Sequence, residues 1–178
     1  KKGVRIVPLI HGGGQERNLR SGTENVPGII GFTKAVELAQ AEKEEESKRL
    51  IKLRDYLTKR VTEEISECWL NGHPTKRLPN NANITFLNVE GEAIILLLNE
   101  YKIYVSSGSA CTSKTLDPSH VIVSMGLPYE AAHGSIRFTL GKINTKEDID
   151  EMMEVLPEII EKLRGISPVH LKASEVNK

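Results

Sequence analysis

The chain has 178 residues, enough for one domain or one domain with a small appendage. Its 24 basic and 24 acidic side chains balance to a formal charge of zero, which argues against a protein held to nucleic acid or a membrane surface by bulk electrostatics. No apolar run approaches the roughly 18 residues that a membrane helix needs, and two cysteines, Cys68 and Cys111, make neither a disulfide framework nor a metal site.

The chain opens Lys1-Lys2-Gly3 without Met and without the pattern of a secretory signal. Val4 to Ile10 reads as a strand interrupted by Pro8, hence an edge or the end of one. No turn or cap precedes it, so the chain reads as a piece of a longer protein. His11-Gly12-Gly13-Gly14-Gln15-Glu16 follows. Three consecutive glycines make a loop with exposed amides, suited to an anion or simply to a turn. The spacing does not fit a dinucleotide fingerprint. Arg20-Ser21-Gly22-Thr23-Glu24-Asn25 leads to Pro27, and either Thr23 or Asn25 is placed to cap the next helix. Arg20 and Thr23 beside a helix start suit a phosphate; a capped helix with a solvated arginine is the plainer alternative.

From Pro27 to Ile65 the pattern is helical. Ile29, Ile30, Phe32, Val36 and Leu38 give the first part a wide apolar face, fit for a buried helix. The run Glu42-Lys43-Glu44-Glu45-Glu46 marks either a solvated face or a break. Leu50, Leu53, Leu57, Val61 and Ile65 then recur at helical spacing. Cys68-Trp69-Leu70 reads as a short strand with a structural thiol, and Asn71-Gly72-His73-Pro74 as a turn. Ala82 to Val89 alternates with period two, a half-buried strand. Glu90-Gly91-Glu92 opens a helix to about Tyr101, and Ile103-Tyr104-Val105 is a short strand.

That strand delivers Ser106-Ser107-Gly108-Ser109-Ala110-Cys111-Thr112-Ser113. Small side chains leave the Cys111 thiol uncovered, and the hydroxyls suppress regular structure by bonding to the backbone. A reactive thiol needs such a setting, because the attacking species is the thiolate and it must reach its target. A Ser/Gly loop that happens to hold a cysteine is the plain alternative. A reducing cytoplasm is the natural home of an unpaired reactive thiol. Short helices follow over His120–Met125 and Tyr129–Ala132. Ser135 to Gly141 is a strand in which Arg137 points away from Ile136 and Phe138, either as surface decoration or as a bidentate anchor for a carboxylate. Thr145 with Asp148 forms a capping box for the last helix, whose inward face is Ile149, Met152, Met153, Leu156, Ile159, Ile160 and Leu163. There are no repeats. The order of elements gives an α/β fold: a small, mostly antiparallel sheet with helices packed on it.

Three segments together, in this order, resemble the NifS/IscS-type cysteine desulfurases, class V members of the fold-type I, pyridoxal-phosphate-dependent enzymes. They are His11–Glu16 with Arg20–Asn25, Ser106–Ser113, and His133-Gly134-Ser135-Ile136-Arg137-Phe138-Thr139-Leu140-Gly141. The resemblance implies that residues 1–26 end the large cofactor-binding domain. Residues 27–166 would be a linking helix and the small C-terminal domain, and 167–178 a mobile tail. It implies that Cys111, on a mobile loop, attacks the sulfur of L-cysteine and carries it as a persulfide, with L-alanine as the other product. Arg137 would hold the substrate carboxylate. Thr23 would bind the cofactor phosphate from across a homodimer interface, with Arg20 of the same motif assisting.

The family's cofactor lysine, in a Ser-x-His-Lys-type segment, lies before the point where this sequence starts. The chain by itself is therefore expected to be inactive, as the C-terminal portion of the enzyme. The resemblance further implies a cytoplasmic protein that passes sulfur to an iron–sulfur scaffold protein or a tRNA-thiolation acceptor, with no metal, no membrane and no direct nucleic-acid contact. A sulfur-relay or scaffold-binding module without catalysis, or a selenocysteine lyase, are the alternatives on the same fold.

Overall fold

The computed structural model describes residues 3–107 and 118–176. The chain divides into two compact units, Lys1–Glu44 and Glu45–Lys178.

The first unit holds the glycine-rich loop, a four-residue turn α1 (Gln15–Asn18) and the start of α2 (Val26–Glu64). Val4 to Ile10 is not a strand. A strand needs a neighbour for its amides and carbonyls, and the unit offers none. Asn25 caps α2, its Oδ1 accepting from the Gly28 amide at 3.0 Å, which settles the choice between Thr23 and Asn25. Helix α2 runs unbroken for 39 residues through the charged stretch. Glu, Lys, Gln and Ala are good helix formers, so the charge marks a solvated face and no break. Ile29, Ile30, Phe32, Val36 and Leu38, expected to be buried, are exposed, because the unit holds no layer to pack on them.

The second unit is an antiparallel sheet with helices on it. Its strands are β1 (Cys68–Leu70), β2 (Asn81–Phe86), β3 (Ser106–Ser107) and β4 (Ser135–Thr139), in the order β1-β2-β4-β3. Register pairs Ala82 with Phe138 and Ile84 with Ile136, while Asn83 faces Arg137 and Thr85 faces Ser135. Period two thus sends Ala82, Ile84, Phe86, Ile136 and Phe138 to one face, where all five are buried. Against them pack Leu50, Leu53, Leu57 and Val61 of α2, Ile94 and Leu98 of α3 (Gly91–Glu100), and Ile149, Met152, Met153, Leu156, Ile159 and Ile160 of α6 (Lys146–Ile166). The helices supply apolar side chains every three or four residues, which is why each buries a single stripe.

The expected strand over Ile103–Val105 is absent; pairing is confined to Ser106 and Ser107. Before Ser106 the chain parts from β4, and residues 101–105 with Phe138, Thr139 and Leu140 line a cavity of about 560 Å³ floored by Leu57, Ile149 and Met152. Two short helices, α4 (His120–Ser124) and α5 (Tyr129–His133), precede β4. Helix α6 starts with the expected capping box: Thr145 accepts from the Asp148 amide, and Asp148 accepts from the Thr145 amide. Past α6 the chain is fastened by Asn88, which donates to the Leu171 carbonyl at 2.9 Å and accepts from its amide at 2.7 Å. A short helix α7 (Ala173–Val176) follows.

Arginines tie the loops to the helices. Arg49 donates to the carbonyls of Gly141, Lys142 and Asn144. Arg54 is buried and donates to the Leu78 carbonyl and to Asp55. Arg164 gathers the carbonyls of Ser66, Glu67 and Leu87. Each guanidinium serves more than one acceptor at once, which is the use of its fixed fork of donors.

Candidate functional site

The outward face of the sheet is polar. Asn83 and Thr85 on β2, Ser135 and Arg137 on β4, and Ser106 on β3 share it by register. Thr85 and Ser135 are buried, while Asn83, Arg137 and Ser106 are half-buried, so the layer is partly covered. Asn71, also buried, donates through Nδ2 to Asn83 Oδ1 at 2.6 Å and to Thr85 Oγ1 at 2.8 Å. Its backbone amide donates to the Asn83 carbonyl. Most buried polar side chains are hydrogen-bonded, and here Asn71, just past β1, bonds two side chains of β2.

Among the described residues Arg137 is the one formal charge on this layer. Its side chain is half-buried, and Nη2 donates to Ser106 Oγ at 3.2 Å. The Ser106 hydroxyl donates in turn to the Ser107 carbonyl at 3.0 Å. Arg137 therefore stands beside the point where the chain leaves β3 for the segment that carries Cys111. Cys111 itself lies outside the described residues.

The third motif contains a close approach. A Cβ on Gly134 would lie 1.9 Å from the Phe86 carbonyl oxygen, while the Phe86 amide donates to the Gly134 carbonyl at 2.9 Å. Only glycine fits, and this contact sets the entry of β4 and hence the position of Arg137. Next to it, His133 Nδ1 is 3.4 Å from Glu90 Oε2, and its ring meets Tyr129 edge-on at 4.8 Å.

The first unit closes its loop on itself. Ser21 Oγ donates to the Gly13 carbonyl at 2.7 Å, and the Gly22 amide donates to Gln15 Oε1 at 3.2 Å. Glu16, Arg17 and Asn18 take positive φ of 50°, 58° and 62°, a left-handed turn that folds the glycine-rich stretch back toward Ser21. Arg20 Nη1 donates to the carbonyls of Gly22 and Thr23, and Nη2 is 3.7 Å from Glu16 Oε1. The guanidinium thus holds the loop. The Thr23 side chain is exposed, and its hydroxyl has no partner among the described residues. The structure therefore brings together the two halves of the first motif in one unit, and Arg137 with the root of the second motif in the other.

The second cysteine has the opposite character. Cys68 faces the core side of the sheet opposite Phe86, and its thiol donates to the Ile65 carbonyl at 3.0 Å. Burial pushes its pKa up to about 11, which keeps it a neutral structural thiol, as the sequence indicated.

Sequence reasoning singled out Arg137 and the Gly134 motif but missed the bonds of Asn71 to Asn83 and Thr85 and of Arg137 to Ser106. The signal was present in Asn81, Asn83 and Thr85, polar residues at every second position of a strand whose alternate positions are apolar. Among the described residues no cluster of His, Cys, Asp or Glu could hold a metal ion, and no described helix is long and apolar enough to cross a membrane.

Residues 7–152 match the sequence profile of the class-V aminotransferases. The chain is 56% identical over 169 residues to the cysteine desulfurase IscS of Methanosarcina thermophila, covering 95% of this chain and 42% of that protein. It is 54% identical over 170 residues to cysteine desulfurase IscS 1 of Archaeoglobus fulgidus, covering 96% and 44%. Among solved structures, a NifS-like protein superimposes with a TM-score of 0.76 at 40% identity, over 92% of this chain and 41% of that one. A NifS-like protein from Rickettsia africae gives 0.75 at 35% identity, over 89% and 41%. The chain thus spans less than half the length of the relatives it matches. Over that span the profile, the identities and the antiparallel sheet agree, and the chain belongs to the class-V aminotransferase family.

Proposed function

We propose that this chain is the sulfur-carrying portion of a cysteine desulfurase, which takes sulfur from L-cysteine and leaves L-alanine. The observation that carries the reading is the position of Arg137. A fixed cation stands on the strand next to the one that leads into the Cys111 segment, one hydrogen bond from its root. Arg137 binds the substrate carboxylate through its fork of donors. That leaves the other end of a small amino acid for a thiolate arriving from the neighbouring segment. Cys111 attacks the substrate sulfur: an S–S bond forms as the substrate C–S bond breaks, its electron pair stays on the carbon, and a proton there completes alanine. The persulfide is then handed to an acceptor, an iron–sulfur scaffold protein or a tRNA-thiolation enzyme. The setting is a cytoplasmic homodimer.

Pyridoxal phosphate is the cofactor in this reading, and the first unit fits its phosphate in part. The exposed Thr23 hydroxyl and the folded glycine-rich loop would hold the anion. Arg20 holds the loop carbonyls and adds positive charge beside them. Once bound, the cofactor supplies the electron sink that makes the substrate C–S bond breakable. Its lysine belongs to the part of the family protein that this chain does not span, so the stretch by itself is expected not to turn over.

The test uses the full-length enzyme with pyridoxal phosphate. Cys111→Ser is expected to keep the cofactor's absorbance and its spectral response to L-cysteine, and to lose sulfur transfer. Sulfide release at the unmutated rate in Cys111→Ser contradicts the reading.

A further inference from the structure

We infer that Ser106 is a positioning residue: its hydroxyl fixes the Arg137 guanidinium in the orientation that receives the substrate carboxylate. The inference rests on the reading of Arg137 given above and assigns the residue that makes that arm rigid.

Arginine is a long side chain, and holding it in one pose costs rotamer freedom. A site that binds a carboxylate by two parallel donors benefits when that ordering precedes binding. Ser106 lies directly across the ladder from Arg137. The sheet's bonding phase supports the contact. The Phe86 amide meets the Gly134 carbonyl and the Leu140 amide meets the Asn80 carbonyl, so even-numbered residues of β4 face β2, and Arg137 turns its backbone to β3. Arg137 and Ser106 are therefore a directly bonded pair with side chains on one face. A short side chain is required opposite an arginine that must lie along the sheet.

The hydroxyl's own bonds give it a direction. Its proton is given to the Ser107 carbonyl at 3.0 Å, which leaves its lone pairs as the acceptor for Arg137 Nη2 at 3.2 Å. Among the described residues Ser106 takes one guanidinium nitrogen, Nη2. On the other flank Arg137 faces Asn83, whose amide oxygen is engaged by Asn71 at 2.6 Å. Asn83 is thus held by Asn71, and Ser106 is the flank that takes a guanidinium hydrogen bond. Because Ser107 ends β3 and the chain runs on from it to Cys111, the same hydroxyl ties the root of that segment to the carboxylate arm.

The experiment is a double-mutant cycle in the full-length holoenzyme, reading KM for L-cysteine, kcat, and the spectrally titrated affinity for the product L-alanine. Arg137→Ala reports on the underlying reading: an unchanged KM would sink that reading and the inference with it. Given a raised KM in Arg137→Ala, Ser106→Ala is expected to raise KM and weaken alanine binding by about three- to tenfold, the range for one hydrogen bond. Its kcat should be little altered, and Ser106→Thr should restore both values. In the Arg137→Ala background Ser106→Ala should then have no further effect. Normal KM in Ser106→Ala, or an equal penalty with and without Arg137, overturns the inference while leaving the role of Arg137 intact.

Discussion

The two faces of one small sheet divide the work of this chain. Toward the helices, Ile84, Phe86, Ile136 and Phe138 are almost completely buried against α2, α3 and α6. Away from them, Asn83, Thr85, Ser135, Arg137 and Ser106 share a polar face by register, with Asn83 and Thr85 bonded to Asn71 and Arg137 bonded to Ser106. The residues alternate along the same strands, so only parity separates them, and a slip of one position would exchange the faces. The even positions of β4 are buried in the core, and the substrate-binding role proposed for Arg137 falls on an odd one. Substitutions on the two faces should therefore be read by different instruments, the inner face by denaturation and the outer face by substrate affinity.

The largest effect belongs to the inner face. Phe86→Ala removes a side chain with no exposed surface and is expected to cost about 3–5 kcal/mol, read from the urea midpoint. On the outer face, Arg137→Ala in the full-length enzyme should leave the urea midpoint nearly unchanged. It should raise KM for L-cysteine by about a hundredfold, the loss of a charge-assisted fork worth about 3 kcal/mol. A large loss of stability in Arg137→Ala would blur the division of labour.

Cys68 sharpens the comparison, because it lies on the inner face. With its pKa raised to about 11 from 9.0, its thiolate fraction at neutral pH is about a hundredfold below that of an unburied thiol. Alkylation of Cys68 should be correspondingly slow in the folded protein and fast in urea; rapid labelling of the native form would contradict its burial. Because burial favours the neutral thiol, its contribution to stability is present below pH 9 and is lost as pH rises toward 11.

Smaller effects lie at the ends of the helices. Thr145→Ala breaks the capping box of α6 and should cost about 1 kcal/mol, again at the urea midpoint. Tyr56 on α2 donates to Asp150 of α6 at 2.5 Å, with Lys146 on the other carboxylate oxygen. The Tyr56 hydroxyl first, then Lys146 and Arg60, hold the Asp150 carboxyl below its ordinary value. A lowered carboxyl contributes stability above its unfolded pKa and loses it as pH falls through the folded one. Tyr56→Phe should therefore lower the melting temperature at neutral pH and have less effect in strong acid. An equal effect at both would assign the tyrosine to packing alone.

Much of this was legible in the sequence because the strong signals are periodic or steric. The apolar positions of α2 and α6 lie at helical spacing, and the alternation over Ala82–Phe86 fixed which residues of β2 face the helices. The capping box of α6 was read from Thr145 and Asp148, and the motif glycine at 134 turns out to be a contact that no side chain permits. What escaped has physical reasons. Val4–Ile10 has strand composition but no partner within its unit, and partnering is not a local property. Residues 103–105 are equally strand-like, yet the chain turns away from β4 over a cavity. Glu42–Glu46 was ambiguous because a charged run is compatible both with a helix and with its end. Ser106 was hidden by its neighbours: in a stretch of serines nothing local marks the one whose hydroxyl lies across from Arg137.

In the proposed reaction sulfur passes onto Cys111 while Cys68 stays inert. The most direct measurement is peptide mass analysis of the full-length holoenzyme after a short exposure to L-cysteine, quenched in acid. The account predicts one added sulfur atom on the peptide containing Cys111, none on the peptide containing Cys68, and loss of the added mass on reduction. An unmodified Cys111 peptide under conditions where alanine accumulates, or added sulfur on Cys68, would contradict it.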